Sequence, residues 1–222
     1  MPLARYHKLD PERRLAILDA AAEEFATHGY DAASINRIIT AAGISKGAIY
    51  YYFEDKLDLF VTVVEDHTAR SGLSWQAMTV AADADAYWQA LYALLERSWR
   101  YTRDNPVWIG LGRALVQIPR EQWSAGRLGE LMARHTEDLH RGIGHGQAIG
   151  AIRTDLPADL LAQLSMTLGE VFDRWFFVQW DQTDDAGRQA LYRTGLENFQ
   201  RMLLPFPTHM FAAWHATEEE DP

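Results

Sequence analysis

Apolar residues recur three or four positions apart through most of the chain, and this spacing predicts a succession of helices. Asp10-Pro11-Glu12 reads as a helix start, with an Asp N-cap, Pro in the first turn and an acid near the positive end of the dipole. Leu15, Leu18, Ala22 and Phe25 then form one inward stripe. Gly29 ends this helix, with Tyr30 folding back on Phe25. Ser34 caps a short second helix with Ile35, Ile38 and Ile39 on one face. Gly43 supplies the left-handed residue that stops it, Ile44 packs back on Ile39, and Ser45 caps a third helix whose inward positions are Ile49 and Phe53. A fourth helix runs from Asp55 to about Ser71, with Leu57, Phe60, Val61 and Val64 on one side.

Beyond it, residues 72–83 show no period and read as loop. Residues 85–104 are apolar on nearly every face, with Leu91, Leu94 and Leu95 on one line and Trp88, Tyr92 and Trp99 on another. Such a helix belongs in the centre of a domain. Asn105-Pro106 stops it. A shorter piece covers Val107 to Val116, and a polar break follows Pro119. Leu128, Leu131, Met132, His135, Leu139 and Ile143 mark a helix to about Gly150. Two long helices close the chain, one opened by Pro157 and one spanning 184–204. They carry Gly169 and Gly195, each costing about 1 kcal/mol against Ala unless a close helix approach offsets it. The two are expected to face a second copy as a four-helix bundle. The C-terminal tail holds an apolar cluster (Met210, Phe211, Trp214) and then the acidic run EEED.

The third helix differs from an ordinary surface helix in what it turns outward. Lys46, Gly47, Ala48, Tyr50 and Tyr51 are small, basic or phenolic, a set suited to a DNA groove. Gly47 and Ala48 permit close approach to base edges, and Ala48 fits a thymine methyl. Lys46 and Lys56 bracket the helix as phosphate partners. A helical hairpin buried in a core would show the same bare pattern, so spacing alone leaves both readings open. The residue order narrows the choice. AAGISKGAIYYYFEDKLDLF, preceded by ILDAAAEEFATHGYDAASINRI, resembles the DNA-binding domain of TetR-family transcriptional regulators over Pro11 to Phe60. That resemblance implies an all-α homodimer. Residues 1–55 would form a three-helix helix-turn-helix domain, and residues 56–222 a larger helical domain for ligand binding and dimerisation. Ser34, Asn36, Lys46, Gly47, Ala48, Tyr50, Tyr51 and Lys56 fall on family positions that commonly touch DNA. The family often has Thr or Ser where Ala48 stands, and frequently His where Tyr52 stands. GQAIGAIRTDLP (146–157) resembles the family's turn between its seventh and eighth helices.

Composition changes this picture in three ways. The net charge of −10 looks wrong for a nucleic-acid binder, but residues 1–56 hold seven basic against eight acidic residues, and all three lysines (Lys8, Lys46, Lys56) lie there. Phosphate contacts act within a screening length of ~8–10 Å, so a local basic face on an acidic body suffices. Met1 to Leu9 is expected to be a mobile arm, with Arg5 and Lys8 in reach of a phosphate or minor groove. The absence of cysteine excludes disulfides and thiol metal sites, and no apolar run suggests a signal peptide or membrane span, so cytoplasmic residence is expected. Eight tryptophans, six of them between Trp88 and Trp180, suggest an aromatic ligand cavity. Its candidates are Trp88, Tyr92, Trp99, Trp108, Trp123, His135, Phe172 and Trp175, with core filling as the alternative for each. Glu96, Glu170 and Asp173 lie on helices that also carry these aromatics, which would suit an effector that is apolar or aromatic and cationic. No metal or cofactor is called for. His135, His140 and His145 are spaced by five and scatter around a helix, and no P-loop, dinucleotide fingerprint or zinc-protease motif is present. A ligand-released repressor on a pseudo-palindromic operator is therefore the leading expectation. An effector-free DNA-binding protein comes next, and a helical enzyme is remote.

Overall fold

The computed structural model describes residues 5–124 and 126–204, and every element among them is helical. The apolar cluster of the C-terminal tail and the acidic run lie outside these residues. The nine α-helices are α1 (Pro11–Ala32), α2 (Ile35–Ala41), α3 (Lys46–Tyr52), α4 (Lys56–Ser71), α5 (Ala84–Asp104), α6 (Pro106–Gln117), α7 (Gly126–Ala148), α8 (Ala158–Trp180) and α9 (Asp185–Leu203). Short 3-10 turns occupy Tyr6–Lys8, Trp75–Val80 and Arg120–Ser124. None of the described helices is long and apolar enough to cross a membrane.

Helix starts follow the caps in the sequence. Asp10 accepts from the Glu12 and Arg13 N–H groups at 2.9 and 3.4 Å, and Asp55 accepts from Asp58 N–H at 2.8 Å. Helix α1 is broken at Gly29, where φ is 73°, and the Tyr30 ring returns to stack on Phe25 at 6.2 Å. The inward stripe of α1 is rotated from expectation. Ile17, Leu18, Ala21, Ala22 and Phe25 are buried, whereas Leu15 is 45% exposed, because α4 and α6 approach from one side only and Leu15 falls beyond them.

The central helix is α4, not α5. Leu59, Phe60, Val61, Val63 and Val64 are all buried, and the polar residues among them are satisfied inside. Thr62 donates its hydroxyl to Asp58 O at 2.7 Å, and Asp58 accepts Arg127 Nε at 3.0 Å. Helix α5 is instead amphipathic. Leu91, Leu94 and Trp99 point inward, while Tyr92, Glu96, Arg97 and Arg100 are exposed, since the five charged residues in its C-terminal half could be buried only with partners. The stretch 72–83 is not plain loop: its 3-10 turn drives Met78 to complete burial against α7.

Three apolar clusters hold the molecule. The first joins α1–α4 to Leu111, Ala114 and Ile118 of α6 and its exit, and to Leu128 and Leu131 of α7. The core of the first helices therefore continues across the 55/56 boundary expected from the sequence. The second gathers α5, α7, α8 and the end of α9 around Leu94, Ile143 and Leu161. The third is aromatic: Trp99 and Phe176, with Phe172, Trp180 and Tyr192 packed against them. Close approaches lie where small residues permit them. A Cβ on Gly110 would meet Ala26 Cβ at 2.5 Å, and one on Gly195 would overlap the Phe172 ring. The turn at 146–157 has Gly150 at φ 75° and Gln147 donating to the carbonyls of Arg153 and Leu156.

Candidate nucleic-acid interface and the helical domain behind it

The reading unit is set by caps. Ser34 Oγ accepts from Arg37 N–H at 3.5 Å and starts α2. Gly43, at φ 65°, ends it: Ile44 N–H donates to Ile39 O at 3.1 Å and Gly43 N–H to Thr40 O at 3.3 Å, the paired bonds of a Schellman stop. Ser45 Oγ then accepts from Ala48 N–H at 3.3 Å, and Ile49 and Phe53 fix α3 to the core at 2% exposure each. The opposite face carries Lys46, Gly47, Tyr50 and Tyr51, all exposed, with the two phenols about half open to solvent. Ala48 is only half open, and its methyl also packs on the first cluster. Tyr52 is likewise half-buried, edge-on to Tyr51 at 5.3 Å. Asn36 is exposed near the start of α2.

Two groups take positions that spacing did not foresee. Lys56 turns inward. Its ammonium donates to Asp31 O at 3.0 Å and Ala33 O at 3.5 Å and lies 4.7 Å from the Tyr30 ring centre, so it ties the end of α1 to the start of α4. The N-terminal arm is docked from Arg5 onward. Tyr6 is buried against Phe53, with ring centres 5.2 Å apart, and this holds the Arg5 guanidinium 4.5 Å above the Tyr51 ring. The reading surface thereby gains a cation beside its exposed phenol.

Sequence reasoning missed the lock behind this surface. Glu24, almost fully buried on α1, accepts from Arg37 Nε at 2.9 Å and Nη2 at 2.5 Å and also from the Ser34 N–H at 2.7 Å. Burial alone would raise its pKa. The Arg37 guanidinium and the Ser34 amide outweigh that and hold the carboxyl below its usual range. A second lock joins the unit to α7. Arg127, about 10% exposed, donates to Asp58 at 3.0 Å and to Glu65 at 2.7 Å, and the other Asp58 oxygen accepts Glu54 N–H at the exit of α3. A third lies further along α4. His67 accepts from Arg70 at Nε2 (2.9 Å), so its proton is on Nδ1 and is donated to Tyr101 Oη at 2.8 Å, and the ring stacks on Trp108 at 5.8 Å. Burial, with Arg70 adding to it, pushes His67 down to about 4, so the ring is neutral near pH 7.

The eight aromatic and histidine candidates do not share one cavity. Trp108 and Trp123 pack on the first cluster, where the Trp123 indole donates to Ile118 O at 3.0 Å. Trp88 belongs to the second cluster, and Trp99 and Phe172 to the third. Tyr92 and Trp175 are exposed, Tyr92 donating to Gln200. His135 lies on α7, its pKa lowered mainly by burial. These side chains fill gaps between different helix pairs, so sequence nearness gave no shared void. Two of the three proposed acidic anchors already have arginine partners, Glu96 with Arg100 and Glu170 with Arg120 and Arg174, while Asp173 stands exposed on α8. A cleft of about 750 Å³ does open between the end of α6, residues 118–121 and α8, and none of the eight lines it.

This architecture matches known proteins. The family model for bacterial regulatory proteins of the TetR family fits residues 17–63. The HTH-type transcriptional repressor Rv1474c of Mycobacterium tuberculosis is 32% identical over 158 residues, covering 67% of this chain and 74% of that protein. The chain belongs to the TetR family. The HTH-type transcriptional repressor AcnR of Corynebacterium glutamicum is 29% identical over 150 residues, covering 67% and 73%. The crystal structure of the transcriptional regulator FadR from Bacillus subtilis, in complex with stearoyl-CoA, superposes with a TM-score of 0.66 at 20% identity over 85% of this chain and 97% of that one. As a TetR-family regulator the protein is a DNA-binding transcription factor with an N-terminal helix-turn-helix and a C-terminal helical domain.

Proposed function

We propose that this TetR-family protein is a dimeric repressor that leaves its operator when a small molecule with an apolar body binds the helical domain. The observation that carries the reading is the surface of α3: four exposed residues without acid, backed by a rigid cap-defined turn and flanked by Arg5. Gly47 and Ala48 would lie against base edges, Tyr50 and Tyr51 would donate to phosphates, and Lys46 would neutralise one. Ser34 and Asn36 would present the start of α2 to the backbone. Lys56 contributes by holding α1 against α4, and its ammonium is already occupied. Residues 1–55 act as the reading unit and residues 56–222 as the sensing and pairing unit, despite their shared core.

The dimer would form through α8 and α9. Leu164, Leu168, Val171, Trp175 and Val178 follow a 4-3-4-3 spacing along α8, four of them substantially exposed, and a Cβ on Gly169 would meet nothing within 4 Å. A second copy covers such a stripe, placing two α3 helices in successive major grooves ~34–36 Å apart. Repression agrees with the named activity of the relatives Rv1474c and AcnR, and response to a small molecule with the crystal structure of FadR in complex with stearoyl-CoA. These relatives are named as transcriptional repressors, which supports a regulator over an enzyme.

The test is an electrophoretic mobility shift with duplexes tiling the DNA upstream of the protein's own and neighbouring genes, repeated over a salt series. One duplex should be retarded, and Lys46→Ala should flatten the slope of log affinity against log salt by about 1. If no fragment is retarded at low salt, or affinity does not change with Lys46→Ala and Tyr50→Phe together, the proposed reading surface is wrong.

A further inference from the structure

The cleft beside α8 has a charge pattern unlike the rest of the protein. The whole chain carries a net charge of −10, yet three arginines, Arg113, Arg120 and Arg174, converge on this opening against two acids, Glu121 and Asp181. Arg113 is held at the rim by Asp181 at 2.7 Å. Arg120, from the turn after α6, and Arg174, from α8, share a single carboxylate, that of Glu170, whose side chain is only 9% exposed while theirs are 61% and 52% exposed. Among the described residues Glu170 is the only partner of both. Two planar guanidinium forks on one carboxylate leave several N–H donors facing an opening whose walls are Val116, Ile118, Phe177 and Val178. Cationic forks above an apolar trough are the arrangement that takes a molecule with a negative head and an apolar body.

The same cleft touches the reading unit. Gln117 lines it, and Gln117 Oε1 lies so close to Gly29 that a Cβ there would stand 2.9 Å away. Gly29 is where α1 breaks before the chain enters α2. About two turns earlier on α6, Gly110 is pressed against Ala26 of α1. A molecule that displaces the cleft end of α6 therefore displaces the end of α1 with it, and so the register in which α2 and α3 are presented.

Building on the repressor reading above, we propose that the effector is an amphipathic anion, a carboxylate or a phosphate ester on an apolar body. Its head is bound by Arg120 and Arg174, and its body lies along Val116 and Phe177. The anion takes the place Glu170 holds in the free protein, and Gln117 passes the displacement to Gly29.

The experiment uses the full-length protein, a duplex found by mobility shift, and four probes kept below their micelle concentrations: dodecanoate, dodecyl phosphate, dodecylamine and dodecanol. Binding is read by thermal shift and by release from the duplex. At least one of the two anions should raise the melting temperature and weaken duplex binding tenfold or more, and the better of them identifies the head group. The exposed double variant Arg120→Gln/Arg174→Gln should keep its duplex affinity within twofold and lose at least tenfold in anion affinity, while Arg120→Lys/Arg174→Lys should recover part of it. Gln117→Ala should bind the anion within twofold of the parent and no longer release the duplex. The assignment is overturned if neither anion binds, if the amine or the alcohol acts as well as the anions, or if the double glutamine variant responds like the parent. Untreated protein that binds no duplex would instead refute the repressor reading, so the two failures are separable.

Discussion

The reading unit and the helical domain behind it are specified in different ways. In the first, the stops and starts around α2 and α3 are written locally: Ser34, Gly43 and Ser45 each satisfy backbone groups within five residues of themselves, and Ile49 and Phe53 leave α3 one way to face. In the second, helices start and stop where their caps say, but what they enclose depends on pairs far apart in the chain, such as Phe172 on Gly195 and Arg120 on Glu170. Locally written structure resists change in its surroundings, which suits a surface that must match a rigid duplex. Structure that depends on distant pairs can hold two arrangements of similar energy, which suits a sensor.

The sharpest way to break this contrast is at the seam. Arg127 of α7 is buried against Asp58 of α4, and Asp58 also accepts from Glu54 N–H just after α3. Asp58→Ala would leave a buried guanidinium with Glu65 as its remaining close partner. It should lower stability by roughly 3–5 kcal/mol, read by urea unfolding. A loss below about 1 kcal/mol would mean that the two regions are not joined here. Next in size is an effect of pH. The folded His67 titrates near 4, below its ordinary value of 6.5, so the unfolded chain takes up the proton first. The stability lost is therefore absent above about pH 6.5 and grows as pH falls toward 4, by up to about 1.4 kcal/mol per unit. His67→Gln should remove that part of the slope between pH 6 and 4 in thermal melts.

Gly43→Ala addresses the locally specified half. With φ at 65°, an L side chain is strained by about 1–2 kcal/mol, although a Cβ there meets no neighbour within 4 Å. The loss should appear in the melting temperature and, more strongly, in duplex affinity, because the angle between α2 and α3 is what the stop defines. A drop in stability with unchanged duplex affinity would show that the turn's geometry is not what DNA reads.

How far the sequence carries the reader follows the same division. The caps, the glycine stop and the inward pair Ile49/Phe53 were legible because each is a contact between near neighbours. The inward turn of Lys56 was not, since its acceptors are carbonyls 23 and 25 residues earlier. Nor was the Glu24–Arg37 lock, whose members sit on different helices. Helix α5 looked central because counting aromatics ignores where Glu96, Arg97 and Arg100 must go, and α4 looked one-sided because the partners that bury Asp58 and His67 come from α7 and α5, far along the chain. The aromatic candidates failed together for one reason. A tryptophan's size says that it will fill a gap, but which gap depends on how helix pairs cross, and that is not written within any one helix.

The two glycines of the last helices give the smallest effect and the most direct test of what covers α8. Gly195 is accounted for inside the protomer, since Phe172 occupies the space a Cβ would need. Gly169, on the other long helix, faces open space, so within one protomer Ala should be better by about 1 kcal/mol through helix propensity. If a second copy packs its helices here, that gain is reversed in the dimer, because the added methyl holds the helices apart. Gly169→Ala should therefore raise the melting temperature of dilute, dissociated protein while weakening the dimer about tenfold by sedimentation, a difference of about 1.4 kcal/mol. Stabilisation at every concentration would place the partner elsewhere. The exposed stripe through Val171 and Trp175 would then need a different explanation, and the two reading helices a different route to the same face of the DNA.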